Sequence, residues 1–212
     1  QGNLKFSKNQ NKIMKGSIKE MIRYCQIKEF YEDKDLEYIK TQLIADFLIA
    51  SKIETMNDPI KGLRQLFDDF FKSTNGMEKY LLRDLLSHIK GDVSYYYGHE
   101  PNDETVRLSF FNLLRTMSDC HWYCLENVIK HCCYNDIYLD IVNRSVANRY
   151  LYFNKYHKHG YERADISEGF YNDTIIIPLV KTIMFLFSAF GLVDIAYNLP
   201  ENPYLQQKDE KY

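Results

Sequence analysis

Only five prolines and nine glycines interrupt the 212 residues, and this scarcity constrains the fold most. Folds made of short strands and tight turns need both residues often, because glycine supplies positive φ and proline pre-sets turns. A chain with so few breakers is expected to be built from long helices. Eighteen tyrosines, 13 phenylalanines and one tryptophan, within a hydrophobic fraction of 45%, supply enough apolar surface to bury such helices and exclude global disorder. The expected fold class is mainly α, as two helical subdomains with a few short strands.

Periodicity places the helices. Ser17 and Glu20 form a Ser-x-x-Glu capping box, followed on one face by Ile18, Met21, Ile22 and Cys25, which predicts a helix over 18–26. Leu36, Ile39, Leu43, Phe47 and Ala50 recur at helical spacing. Asp58-Pro59 marks a helix start, with Ile60, Leu63, Leu66, Phe67, Phe70 and Phe71 expected to face inward. Met77, Leu81, Leu85 and Ile89 predict another helix, with Gly91 as its left-handed cap. Asn102 or Asp103 caps a helix carrying Val106, Phe110 and Leu113, and Leu125, Val128, Ile129 and Cys132 mark the next. Residues 136–156 read as helical and tyrosine-rich, 157–162 as a loop, and the last helix runs from about Pro178 to Gly191. Leu4 to Ser7 and Asp194 to Tyr197 are the strand candidates.

The stretch 91–103, with Gly91, Gly98, Pro101 and Tyr95-Tyr96-Tyr97, reads as a linker or long loop. It separates an N-terminal helical subdomain, 1–90, from a C-terminal one, 104–212. The chain starts without Met and ends on Gln206 to Tyr212 without a stop signal, so it is read as a piece of a larger protein. Ile175 to Val193 is strongly apolar but is interrupted by Pro178 and Lys181. Its unbroken part is shorter than the ~20 residues a bilayer core requires, so a central buried helix, and no membrane, is expected. The five cysteines are odd in number in a chain that does not need staples. Buried reduced thiols and a cytoplasmic location follow.

No Gly-x-Ser-x-Gly, Gly-x-Gly-x-x-Gly or phosphate-binding Gly-Lys-Ser/Thr occurs. Carboxylates such as Asp68, Asp69 and Asp84 read as solvated faces and caps. No catalytic residue and no cofactor is assigned. Cys120, Cys124, His131 and Cys132 have the chemistry of zinc ligands. On a continuous helix, however, Cys120 and His131 stand about 16 Å apart, beyond the reach of one ion, so no metal is assigned.

Charge is more informative. The whole chain carries a net charge of −2, but residues 1–28 hold seven cations against Glu20 alone, a net of +6. Lys12, Lys15, Lys19 and Arg23 lie in that stretch. A second basic segment holds Arg144, Arg149, Lys155, Lys158 and Arg163 against Glu162, with Tyr150, Tyr152, Tyr156 and Tyr161 interleaved. Cations mixed with flat rings suit phosphate contact and base stacking. The candidate nucleic-acid-binding residues are Lys12, Lys15, Lys19, Arg23, Arg144, Arg149, Lys155, Lys158, Tyr152 and Tyr156.

Two local patterns resemble winged-helix modules. One joins Leu4-Lys5-Phe6-Ser7 to Ser17-Ile18-Lys19-Glu20-Met21-Ile22. The other is Met117-Ser118-Asp119-Cys120-His121-Trp122-Tyr123-Cys124 followed by Leu125-Glu126-Asn127-Val128-Ile129. The run from Pro178 through Gly191 to Tyr197 is similar to a helix passing into the first strand of a wing. Such segments look like those of large uncharacterised bacterial proteins with helicase-associated winged-helix regions. The resemblance implies winged-helix-like elements, chiefly over 117–197, and nucleic-acid contact. No clear hairpin signal follows residue 197. The expected function is non-catalytic binding of DNA or RNA within a larger protein. The alternative is a helical interaction or scaffold domain that binds a protein partner or the rest of its own chain.

Overall fold

The computed structural model describes residues 5, 13–31, 38–51, 58–72, 74, 77, 80–91, 102–157 and 160–198. Its fold is mainly α with one small antiparallel sheet. The helices are α1 (Lys15–Cys25), α2 (Ile39–Ala50), α3 (Pro59–Lys72), α4 (Asp103–Thr116), α5 (Leu125–Tyr134), α6 (Arg144–Tyr150) and α7 (Ile177–Ala189). The strands are β1 (Ile89–Gly91), β2 (Leu151–His157) and β3 (Gly160–Asp165), in spatial order β1-β2-β3. The chain divides into two compact units, Gln1–Leu66 with Ile183–Ile195 and Phe67–Thr182 with Ala196–Tyr212. Most of the 91–103 stretch, including Tyr95 to Tyr97, lies outside the described residues, as do Leu4, Phe6 and Ser7.

In the first unit, Ile13, Ile18 and Ala45 form a buried cluster against which Met21, Ile22, Tyr38 and Ile49 pack. The predicted capping box is absent. Helix α1 starts earlier, after Met14, because the Ser17 hydroxyl accepts a hydrogen bond from the Lys5 N–H at 2.9 Å instead of capping its own helix. Helix α2 is capped from a distance. The Glu29 carboxylate accepts from the N–H groups of Lys40 (2.9 Å) and Thr41 (3.1 Å) and from the Thr41 hydroxyl, placing a negative charge where the helix dipole favours it. At the far end of α7, Gly191 takes φ +74°. Its N–H reaches the Ser188 carbonyl, and the Leu192 N–H reaches that of Phe187. This is the two-bond cap that a left-handed glycine permits. Phe185 packs edge-on to Phe30, and Phe190 against Phe47.

In α3 the Asp58 cap forms as expected, accepting from Ile60 and Lys61. Leu66 and Phe70 are buried, but Ile60 is 67% exposed and Leu63 is also exposed, so the apolar stripe is narrower than the sequence pattern suggested.

The second unit is organised around a buried ion pair on α4. Arg107 has 0% exposure. Its guanidinium donates to Asp103 Oδ2 at 2.9 Å, to the Phe70 carbonyl at 2.7 Å and to the Met77 carbonyl. It also lies 4.8 Å from the Phe70 ring centroid. Asp103 Oδ2 in addition accepts the Leu81 N–H at 3.0 Å. Of the expected helix over Met77 to Ile89, Leu81–Leu85 form a π-helical turn, and Ile89 already belongs to β1.

Gly91 has positive φ (+105°) as expected, but it sits in a strand. A Cβ there would meet the Tyr150 carbonyl oxygen at 2.1 Å, so glycine is required for β1 to approach β2. The register pairs Ile89 with Phe153, Lys90 with Tyr152 and Gly91 with Leu151. Residues 151–157 are therefore a strand rather than part of a tyrosine-rich helix, and the predicted 157–162 loop is the hairpin joining β2 to β3. Aromatic residues suit a pleated surface, and Leu151 and Ile89 are buried on its inner side. No strand forms over 194–198, where the wing had been expected to begin.

Helix α7 is continuous with a π-helical turn, Asn172–Ile176. Pro178 has no N–H to give the Thr174 carbonyl four residues back. The Nε2 of His88 lies 3.4 Å from that oxygen and supplies a donor in the matching tautomer. The helix from Asn172 to Ala189 is long and apolar enough to cross a membrane, and half of it is buried within the protein.

Arg107→Ala strands Asp103 as an uncompensated buried charge and is expected to cost about 3–5 kcal/mol, read from the denaturant midpoint; a loss within the surface-mutant range would contradict the hub. Burial holds the His88 imidazole below its usual pKa, with Lys90 acting the same way and the Thr174 carbonyl opposing. The unfolded chain therefore takes up a proton that the folded one resists. The contribution is complete above the ordinary histidine value and fades as pH falls below it. The melting temperature should drop between pH 7.5 and 5, and less steeply in His88→Gln. Equal drops would refute the assignment.

Candidate nucleic-acid interface

The two basic segments fall in separate units, and each has its own geometry. On α1, Lys15, Lys19 and Arg23 follow at intervals of four, so they form one stripe along the helix. All three are exposed. None has an ion-pair partner among the described residues. The Lys19 ammonium lies 5.8 Å from the centroid of the Tyr38 ring, and the Arg23 guanidinium 5.2 Å from that of Tyr24. Glu29, the first residue of the neighbouring acidic run, is turned to the start of α2. A groove of about 290 Å³ runs beside the stripe, lined among others by Lys15, Tyr38 and Asp46. Lys12 lies outside the described residues.

In the second unit the candidates separate into structural and surface groups. Arg144 opens α6, but its guanidinium is committed to the fold. It pairs with Asp140 (3.1 and 3.2 Å) and Asn172 Oδ1 (3.0 Å) and lies 4.9 Å from the Tyr171 ring centroid. Tyr171 is itself buried. Its hydroxyl donates to the Val142 carbonyl at 2.7 Å and accepts from the Val142 N–H at 3.3 Å, and burial raises its pKa well above the usual tyrosine value. Arg144 therefore helps lock the loop before α6, with its side chain still partly exposed. Arg149, on the same helix, is exposed with no side-chain partner among the described residues.

The sheet carries the remaining groups. Directly opposed residues share a face, so the register puts Lys90, Tyr152, Asn154, Tyr161, Arg163 and Asp165 on one side. Ile89, Leu151, Phe153 and Ala164 take the other side, toward the core. The first side is the outer one: Lys90, Tyr161, Arg163 and Asp165 are exposed, and Tyr152 and Asn154 are half-buried. The Arg163 guanidinium lies 4.2 Å from the centroid of the Tyr152 ring, held by its Nε–H to Asp165 Oδ1 at 3.0 Å. Lys155 and Tyr156 occupy β2 opposite Glu162 and Tyr161; their side chains, and all of Lys158, lie outside the described residues. Lys90 was not singled out in the sequence because Ile89-Lys90-Gly91 reads there as a helix end.

The thiols differ from expectation. Only Cys132 is buried, and burial pushes its thiol up to about 11, which keeps it protonated and inert. Cys25, Cys120, Cys124 and Cys133 are exposed and free. Among the described residues no group of three or more metal-ligand side chains converges. The irregular stretch before α5 also exposes large rings, with Trp122 at 72%.

The lock around Tyr171 generates a prediction. Tyr171→Phe removes both hydroxyl bonds to Val142 and should destabilise the protein by about 1–3 kcal/mol, measured by denaturation. A native midpoint would show that the hydroxyl contributes nothing. Comparison with family models, with curated proteins and with solved structures finds no match to this chain.

Proposed function

We propose that the protein is a non-catalytic, cytoplasmic nucleic-acid-binding module with winged-helix-like elements in its second unit. The observation that carries this reading is the exposed stripe Lys15, Lys19 and Arg23, which has no carboxylate partner among the described residues. Successive members are about 6 Å apart along the axis. Phosphates rise about 3.4 Å per nucleotide along one strand, so consecutive cations match roughly every second phosphate.

The winged-helix element is supported by chain order. Helices α5 and α6 precede the β2–β3 hairpin in the chain, and α6 runs directly into β2, the order expected of the modules that the sequence resembles. On this reading the β2–β3 hairpin at 151–165 serves as the wing, in place of a strand beyond residue 197. Arg149 and the outer sheet face, with Lys90, Tyr152, Tyr161 and Arg163, replace Arg144 in the second patch. The cytoplasmic assignment is supported by four solvent-facing free thiols, which persist in a reducing compartment. A second reading, a docking module for a protein partner, is favoured by the exposed ring of Trp122.

Fluorescence anisotropy with labelled DNA and RNA separates the two. Nucleic-acid binding predicts affinity that falls steeply with salt. Converting Lys15, Lys19 and Arg23 together to Glu should shrink the slope of log affinity against log salt by about 2–3, one increment per lost phosphate contact. No binding at low salt would remove the reading. A salt-insensitive self-association abolished by Trp122→Ala would establish the second.

A further inference from the structure

Resting on the nucleic-acid reading, we infer that the outer face of the β1-β2-β3 sheet takes single-stranded nucleic acid, with an unstacked base on Tyr161 and an adjacent phosphate at Arg163. Three observations support it. Tyr161 is 70% exposed and sits one pair from the hairpin end of the sheet, so its ring is reached without rearranging the core. Arg163, on the same face, is laid over Tyr152 and oriented by Asp165 through Nε alone. Its two terminal nitrogens have no partner among the described residues, which leaves a planar fork held in place for an anion. Lys90 adds a second cation on the first strand of the same face, so Lys90 and Arg163 outnumber the single carboxylate, Asp165.

Stacking selects the strandedness of the ligand. In a duplex the faces of the bases are covered by their neighbours, and an aromatic ring on a flat sheet has nothing to stack against. A single strand can splay a base onto the ring while its backbone follows the cations. This face therefore discriminates against duplex, whereas the α1 stripe, which meets only phosphates, does not.

The test uses the full chain and labelled 12-mers of dT and U, alone and annealed to their complements. Tyr161→Ala should weaken binding of the single strands about tenfold or more, and Tyr161→Phe, which keeps the ring, should restore it. Affinity for the duplexes should be the same in all three proteins. Single-strand binding that is indifferent to Tyr161→Ala would overturn the inference while leaving the nucleic-acid reading intact. Absence of binding to every probe at low salt would overturn both.

Discussion

Arg107 is a permanent charge with no access to solvent, and the second unit depends on how that charge is satisfied. Isolated in a low-dielectric interior it would be prohibitively costly. It is tolerated because Asp103 faces it one helical turn away, and because the carbonyls of Phe70 and Met77 converge on the same guanidinium. Asp103 in turn holds the Leu81 N–H. One ion pair thereby ties together the end of α3, the segment around Met77, the π-helical turn and α4. Apolar contacts alone would leave the relative register of these pieces weakly specified. Directional bonds to three separate backbone segments specify it, since any slip leaves a buried polar group unpaired.

The Leu81–Leu85 turn, which leads to β1, is held by this anchor. Once the Leu81–Leu85 turn is held against α4, the chain leaves it directly into β1, and Gly91 permits the close approach to the Tyr150 carbonyl that pairing with β2 requires. Near the start of α7, Pro178 leaves the Thr174 carbonyl without its usual donor, and His88, three residues after the Leu81–Leu85 turn, reaches that oxygen. Each of the two π-helical turns among the described residues has a side chain set against one of its backbone groups, Asp103 at Leu81 and His88 at Thr174, as expected where buried backbone groups must be paired.

The same scaffold sorts the basic residues by role. Arg144 and Arg163 belong to the same basic segment of the sequence. Arg144 faces Asp140, Asn172 and the Tyr171 ring and serves the fold. Arg163 rests on Tyr152 at the sheet surface, where an exposed ion pair contributes little to stability and the guanidinium keeps hydrogen-bonding capacity to spare. Net charge over a stretch cannot make this distinction, because it depends on which residues are brought opposite each cation. Lys19 and Arg23 of α1 are simpler: their spacing alone puts them on one stripe.

Local chemistry was legible in the chain. The Asp58-Pro59 start, the glycine stop at Gly191, the amphipathic pattern of α4 and α5 and the four-residue spacing of Lys19 and Arg23 all act within one or two turns of helix, so neighbouring residues suffice to specify them, whereas Lys15 joins that stripe only because α1 starts before the predicted residue 18. The capping box at Ser17 failed for a complementary reason: a backbone amide from outside the helix, that of Lys5, claimed the hydroxyl. The sheet was hidden because Ile89 meets Phe153 from a distant part of the sequence, and a three-residue strand ending in glycine is indistinguishable locally from a helix terminus. Asp103 and Arg107 were hidden too, since an acid and a base four apart on a helix ordinarily form a surface pair. Their burial, and the outer sheet face that gathers Lys90, Tyr152, Tyr161 and Arg163, arise only when remote segments pack, because long-range contact settles which polar groups lose water and which side of a strand keeps it.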